Sequence, residues 1–317
     1  AFRGRQAIDV FMLHPEGRIS EVQRRQMTTA PDANIHNIAI QGTFDDCQAL
    51  VKALFQDAEL RDRLNLAAVN SINWARVMLQ VAYYVHAAVA LGSPDRPVAF
   101  SVPTGNFGDV YAGYVAAMMG LPVARLVVAT NRNDILARFF ATGEYRRGEV
   151  AATISPSMDI QVASNFERYV FDRVGRDSAE LRARMADFAR DGVMQVEVGN
   201  ADLFTAFAVG EEETKAEIAR THRATGWLAD PHTAVGLAAA RARRGDPAVP
   251  MVTLSTAHPA KFADAVTEAS GVVPQLPPRY ADLMQKPERC VTLPNDVAAL
   301  RAHLVAHARL SDRRSAA

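Results

Sequence analysis

The chain has 317 residues, 49% of them apolar, and 35 Lys and Arg balance 35 Asp and Glu to a formal net charge of zero. Such a chain is long enough for a well-buried core and for two lobes, while its scattered basic residues leave no electrostatic footprint for nucleic acid or an anionic membrane. Cys47 and Cys290 stand far apart without CxxC spacing, which argues against a disulfide framework or a thiolate metal site, and no apolar run approaches the ~20 residues that cross a bilayer.

The opening "AFRGRQAIDVFMLHP" reads as the last turn of a helix stopped at Gly4, then a buried strand over 7–14. It lacks the order of a signal peptide, and the expectation is that the sequence is not a whole protein. "ISEVQRRQMTT" predicts a helix with Ser20 as its N-cap, "NIHNIAIQG" a second strand, and 43–56 a helix capped by "TFDD". This βαβ alternation predicts a parallel sheet with helices on its faces. Residues 70–92 carry apolar side chains at Val77, Val81, Tyr84, Val85 and Ala88, a helical spacing on a helix apolar enough to lie inside the fold. A strand over 98–102, another in "ARLVVATN" and a helix in "NDILARFFATG", capped by Asn133 or Asn131, come next. Phe139, Phe140, Tyr83 and Tyr84 read as core aromatics.

Polar helices are expected over 178–191 and 210–225, and "DPHTAVGLAAARARRG" as a helix stopped by Gly245. "PMVTLSTAHPAKF" is a strand entering a turn, the proline-rich stretch from 274 to 296 wraps over the surface, and a last helix leads into a polar, frayed tail. His303 and His307 lie four apart on that helix, but with no third ligand nearby they read as packed or solvated, so no metal is expected. No internal repeat is present.

Two stretches carry chemistry. In "VAFSVPTGNFGDVYAGY" an apolar strand ends in glycines that open a helix, so backbone N–H groups and the helix dipole converge into an anion site. Gly105 and Gly108 allow close approach and positive φ, and Asn106 tolerates the left-handed region. The spacing matches neither GxGxxG nor GxxxxGK[ST], which weakens a nucleotide reading, and a tight turn without ligand is the plain alternative. In "TLSTAHPAKF" a strand delivers Ser255, Thr256, His258 and Lys261 to the carboxyl edge of a sheet, where open α/β folds place ligands; a capped strand-to-helix turn is the alternative. His258 is as well explained as a turn histidine as by an acid–base role.

The motifs "NSINWAR" (70–76), "PTGNFGD" (103–109), "ATNRND" (129–134), "SPSMDIQVASNFER" (155–168) and "STAHPAKF" (255–262), in this order, resemble the threonine synthases of bacteria and fungi across nearly the whole chain. The resemblance implies a fold type II pyridoxal-phosphate enzyme, tryptophan synthase β-like: α/β, with two lobes, each a mainly parallel sheet flanked by helices. Residues 1–67 would be the remainder of the smaller lobe and 68–317 the larger lobe with its C-terminal helix. It further implies conversion of O-phospho-L-homoserine and water to L-threonine and phosphate in the cytoplasm, by a monomer when complete. Gly105, Asn106, Phe107, Gly108 and Asp109 match the loop that holds the cofactor phosphate, and Thr256 matches the hydroxyl that faces the pyridine nitrogen, moderating the electron sink.

The departing substrate phosphate needs a second anion site, for which Asn73, Arg76 and Lys261 are candidates. Asn73 capping the helix, Arg76 pairing with a carboxylate and a solvated Lys261 are the alternatives. The chain departs from the family in one respect. The Schiff-base lysine of the family lies in an FKD motif upstream, as does its Ser-Gly-Asp-Thr loop, and neither occurs here. Lys52, Lys215, Lys261 and Lys286 stand in other settings, so no catalytic lysine is assigned within the chain. A non-catalytic pyridoxal-phosphate or phosphate-binding module and another fold type II elimination or replacement are the competing readings.

Overall fold

The computed structural model describes residues 2–199 and 202–309. Two compact units result: Ala1–Ala67 with Gln275–Ala317, and Ala68–Pro274.

In the first unit, β1 (Val10–Pro15) leads to α1 (Glu21–Thr28), whose N-cap Ser20 accepts a hydrogen bond from the Gln23 N–H at 3.3 Å. After β2 (Ile35–Gln41), a reciprocal box opens α2 (Phe44–Gln56): Thr43 Oγ1 accepts from the Asp46 N–H and Asp46 Oδ2 from the Thr43 N–H. Asp57 ends α2 and caps α3 (Ala58–Leu64), a short helix absent from the sequence reading.

The second unit begins with α4 (Trp74–Ala90). Only one face of it is buried, through Val77, Val81, Tyr84 and Ala88, whereas Trp74, Met78 and Val89 are about half exposed. The expectation of an interior helix is corrected: Val85 faces outward, and Tyr83 is exposed rather than in the core. Then follow β3 (Val98–Pro103), α5 (Gly108–Met118), β4 (Val123–Thr130), α6 (Ile135–Thr142), β5 (Glu144–Arg146) and α7 (Phe166–Arg173). The remaining elements are α8 (Ser178–Asp191), β6 (Val193–Gln195), β7 (Phe204–Ala208), α9 (Glu211–Thr225), α10 (Pro231–Ala242), β8 (Met251–Thr253) and α11 (Ala263–Ser270).

The four main strands form a parallel sheet ordered β7-β4-β3-β8, and β5 pairs antiparallel with β6. Every residue of β3 is buried, as a strand covered on both faces requires. Its neighbours are held close by α10, where a side chain at Gly236 would come within 2.8 Å of Pro103. The core beside the sheet is aromatic, with Tyr84, Phe100, Phe107, Phe139, Phe166 and Tyr169 essentially without exposure. Each such ring is worth ~2–3 kcal/mol of burial. Helix α6 begins at Asp134 without a side-chain cap, in place of the expected Asn131 or Asn133. Both amides are instead buried and donate to Asp159 Oδ1, at 2.7 and 3.0 Å. Helix α10 ends at Arg243, before Gly245.

The chain then returns to the first unit. β9 (Val291–Pro294) adds to β2 in parallel, giving the order β1-β2-β9, and α12 (Val297–His307) buries Leu300 and Leu304 against Leu50 and Leu54. Residues 275–309 therefore leave the larger lobe expected over 68–317, because the second edge of β2 and the leucines of α2 supply their partners. The proline-rich stretch is likewise a strand in part. His303 and His307 stack at 4.1 Å, and no metal-holding cluster occurs among the described residues. The expected frayed tail lies outside the described residues.

Candidate functional site

Because β3 and β8 are adjacent and parallel, with Ser101 opposite Thr253, the segments that leave their carboxyl ends emerge side by side. One is the loop 104–107 into α5, the other Leu254 to Thr256. They line a cavity of about 560 Å³ within the larger unit, with Ser71, Arg76, Gln80 and Tyr83 from the α4 side.

The loop reaches its shape differently from the sequence expectation. Neither Gly105 nor Gly108 has positive φ; the left-handed residue is Phe107, at φ 63°. A non-glycine residue there costs on the order of 1–2 kcal/mol, offset by its ring, which is 1% exposed and packs on Phe166 at 5.5 Å and Phe140 at 6.0 Å. Phe107 therefore contributes its backbone to the cavity and its side chain to the core. The glycines serve close approach. A Cβ on Gly105 would stand 2.6 Å from the Ser157 carbonyl oxygen, and one on Gly108 3.2 Å from Asn165 Nδ2.

No side chain caps α5, so the N–H groups of its first turn face the cavity without an internal acceptor. This is the geometry that binds phosphate. Asn165, fully buried, holds the loop from behind: its N–H donates to Asn106 O at 3.0 Å, and its Nδ2 to Asn106 O and Ser71 O at 3.2 and 2.8 Å. Ser164 Oγ donates to Asn106 Oδ1. Asp109, in the first turn, accepts from the buried Tyr84 hydroxyl at its carbonyl and at Oδ1. Burial pushes its carboxyl up to about 6, with the Tyr84 bond opposing the shift.

Of the other expected residues, Thr256 lines the cavity with an exposed side chain, and its N–H donates to Thr233 Oγ1 at 3.1 Å. Arg76 also lines it, exposed, with Nη1 donating to Val69 O at 3.2 Å. Asn73 is absent from the lining: its Oδ1 accepts from the Ala75 N–H at 2.9 Å and its Nδ2 donates to Ala68 O, so it is the cap of α4. Lys261 sits on the 3-10 turn Pro259–Phe262, also outside the lining, and His258 caps that turn through Nδ1. Lys215 pairs with Glu268 and Lys286 with Asp282. No lysine lines the cavity among the described residues.

Sequence reasoning missed Ser71, Gln80 and Tyr83, which reach the cavity only through the packing of α4 on α5, and the residues behind the walls: Asn165, Ser157, Asp230, His232 and Thr233. "DPHT" offered one local signal, an Asp N-cap before Pro at the first helical position.

A family model described as "Pyridoxal-phosphate dependent enzyme" matches residues 5–256, and one described as "Threonine synthase, C-terminal" matches 233–304. The chain is 52% identical over 305 residues to the threonine synthase of Pseudomonas aeruginosa, covering 95% of this chain and 65% of that protein. It is 43% identical over 290 residues to that of Saccharomyces cerevisiae, covering 84% and 56%. A solved structure of pyridoxal-phosphate-bound threonine synthase from Brucella melitensis superposes with a TM-score of 0.91 at 49% identity, over 98% of this chain and 67% of that one. The chain thus spans about two thirds of the length of these bacterial relatives.

Proposed function

Because the chain belongs to the pyridoxal-phosphate-dependent enzymes, on their threonine synthase branch, we propose that it forms the part of a threonine synthase that grips the phosphate and ring of pyridoxal phosphate. The observation that carries this reading is the uncapped N-terminus of α5 facing Thr256 across one cavity. The donor set fits the cofactor at two ends: N–H groups of the Gly105–Asp109 loop for the phosphate, and the Thr256 hydroxyl for the ring nitrogen. The reaction is that of O-phospho-L-homoserine with water, giving L-threonine and phosphate.

Bound, the cofactor supplies the electron sink that lets protons leave carbon. The chain's own residues bind and orient. The α5 amides would hold the cofactor's phosphate, and Thr256, a neutral hydroxyl, would face the ring nitrogen without the negative charge that keeps such a nitrogen protonated. Arg76, exposed at the rim with two guanidinium nitrogens outside its Val69 bond, takes the substrate phosphate. The complete protein would act in the cytoplasm as a monomer, as the family resemblance implies. No helix among the described residues is long and apolar enough to cross a membrane.

The test is a pyridoxal-phosphate titration of the purified chain and of the full product of its gene, with phosphate release from O-phospho-L-homoserine measured in each. Saturable binding weakened by inorganic phosphate, with threonine formed by the full product, supports the reading. No binding by either protein overturns it.

A further inference from the structure

Behind the cavity lies a carboxylate that no Lys or Arg neutralises among the described residues. Asp230 is 1% exposed, caps α10, and is paired with neither Lys nor Arg among the described residues. Its Oδ1 accepts from the His232 N–H at 3.0 Å and from His232 Nδ1 at 2.9 Å, and its Oδ2 accepts from the Thr233 hydroxyl. A buried carboxylate is retained only where it is well hydrogen-bonded, and here every donor leads onward to a wall of the cavity.

One branch runs through His232. The Ser157 N–H can only donate, and it points at His232 Nε2 at 3.2 Å, so Nε2 is the acceptor and Nδ1 carries the proton given to Asp230. This orients Ser157, whose carbonyl oxygen closes on Gly105. The other branch runs through Thr233, which gives its only hydroxyl proton to Asp230 and so presents a lone pair to the Thr256 N–H at 3.1 Å.

We propose that Asp230 is a positioning residue that sets both grips on pyridoxal phosphate, the phosphate loop through His232 and Ser157, and the ring-nitrogen hydroxyl through Thr233 and Thr256. The inference rests on the cofactor reading above. Asp230 touches no ligand. It fixes the ring tautomer of His232 and the hydroxyl direction of Thr233, as an outer carboxylate does for an inner histidine. The two branches are separable. His232→Phe keeps an aromatic ring against Phe262, 4.7 Å away, but removes the acceptor for Ser157. Thr233→Val keeps the shape but removes the lone pair for Thr256.

The experiment measures dissociation constants of pyridoxal phosphate and of pyridoxal, which lacks the phosphate, together with the visible spectrum of the bound cofactor and the melting temperature. The proteins are the wild-type gene product, Asp230→Asn, His232→Phe, Thr233→Val and Thr233→Ser. In His232→Phe the affinity for pyridoxal phosphate falls about tenfold while that for pyridoxal holds; in Thr233→Val both fall alike and the spectrum shifts; Thr233→Ser restores the wild-type values. Asp230→Asn shows both effects.

Should Asp230→Asn not fold, the two single-branch variants carry the test. Variants that melt lower yet bind both ligands as the wild type does overturn the inference and leave the cofactor reading standing. A wild-type protein that binds neither ligand overturns both.

Discussion

Replacing Gly105 by Ala puts a methyl group 2.6 Å from the Ser157 carbonyl oxygen and 3.3 Å from Met158 Cα. An ordinary C···O contact starts near 3.3 Å, so something must move by about 0.7 Å. The Ser157 side is pinned: its N–H is held by His232, Met158 N–H donates to Ser155 O at 3.0 Å, and Asp159 accepts four hydrogen bonds from Asn131, Asn133 and Thr153. The loop must therefore yield. Such a shift stretches a 2.9 Å amide-to-phosphate bond past the ~3.5 Å limit. Loss of one such charged bond costs ~1.5–3 kcal/mol, or roughly 10- to 100-fold in affinity. The expected result is that loss for pyridoxal phosphate, read by fluorescence titration, little change for pyridoxal, and a stability loss of ~1–3 kcal/mol by urea unfolding. Gly210→Ala, at a helix N-cap with nothing within 4 Å, is the control. A folded Gly105→Ala protein with wild-type affinity for pyridoxal phosphate would refute the argument that this contact sets the loop.

Arg76→Met keeps the stem and removes the charge; KM for O-phospho-L-homoserine should rise about 10- to 100-fold with kcat little altered, and an unchanged KM ends its assignment. Thr256→Val should weaken pyridoxal phosphate by about fivefold, the worth of one neutral hydrogen bond, and shift the cofactor's absorption; an unshifted spectrum excludes contact with the ring. For Asp109 the folded carboxyl sits at about 6 against 3.8 unfolded, so its contribution is fully present below pH 3.8 and is lost as pH rises through 6. The difference is on the order of 3 kcal/mol, and Asp109→Asn should flatten urea-unfolding stability between pH 4 and 7; parallel curves for the two proteins would contradict the shift.

What the sequence made legible is what lies close in the chain. The strand, glycine loop and helix of 98–118 announce an anion site within twenty-odd residues, and Ser20 and Thr43 mark helix starts through side chains that act on the next turn. Contacts across long separations were not legible. The positive φ fell on Phe107 because an aromatic core assembled from 100–204 holds its ring, a cause no local rule contains. His232 meets Ser157 across 75 positions. β9 is four residues in a proline-rich run, and only the open edge of β2 makes it a strand. For α4, periodicity named the buried face but could not say that the opposite apolar face stays exposed.

The left-handed turn at Phe107 has a further consequence. Its strain is held by a ring wedged among Phe166, Tyr169 and Phe204, so the loop cannot relax without levering that ring out. A glycine-rich loop is ordinarily among the first segments to breathe. Here the turn is tied through the Phe107 ring to the deepest layer of the larger unit, so the backbone of the loop can change shape only together with that layer. Under the cofactor reading proposed above, the site is preorganised: pyridoxal phosphate would meet N–H groups already in place, with little of the loop left to order.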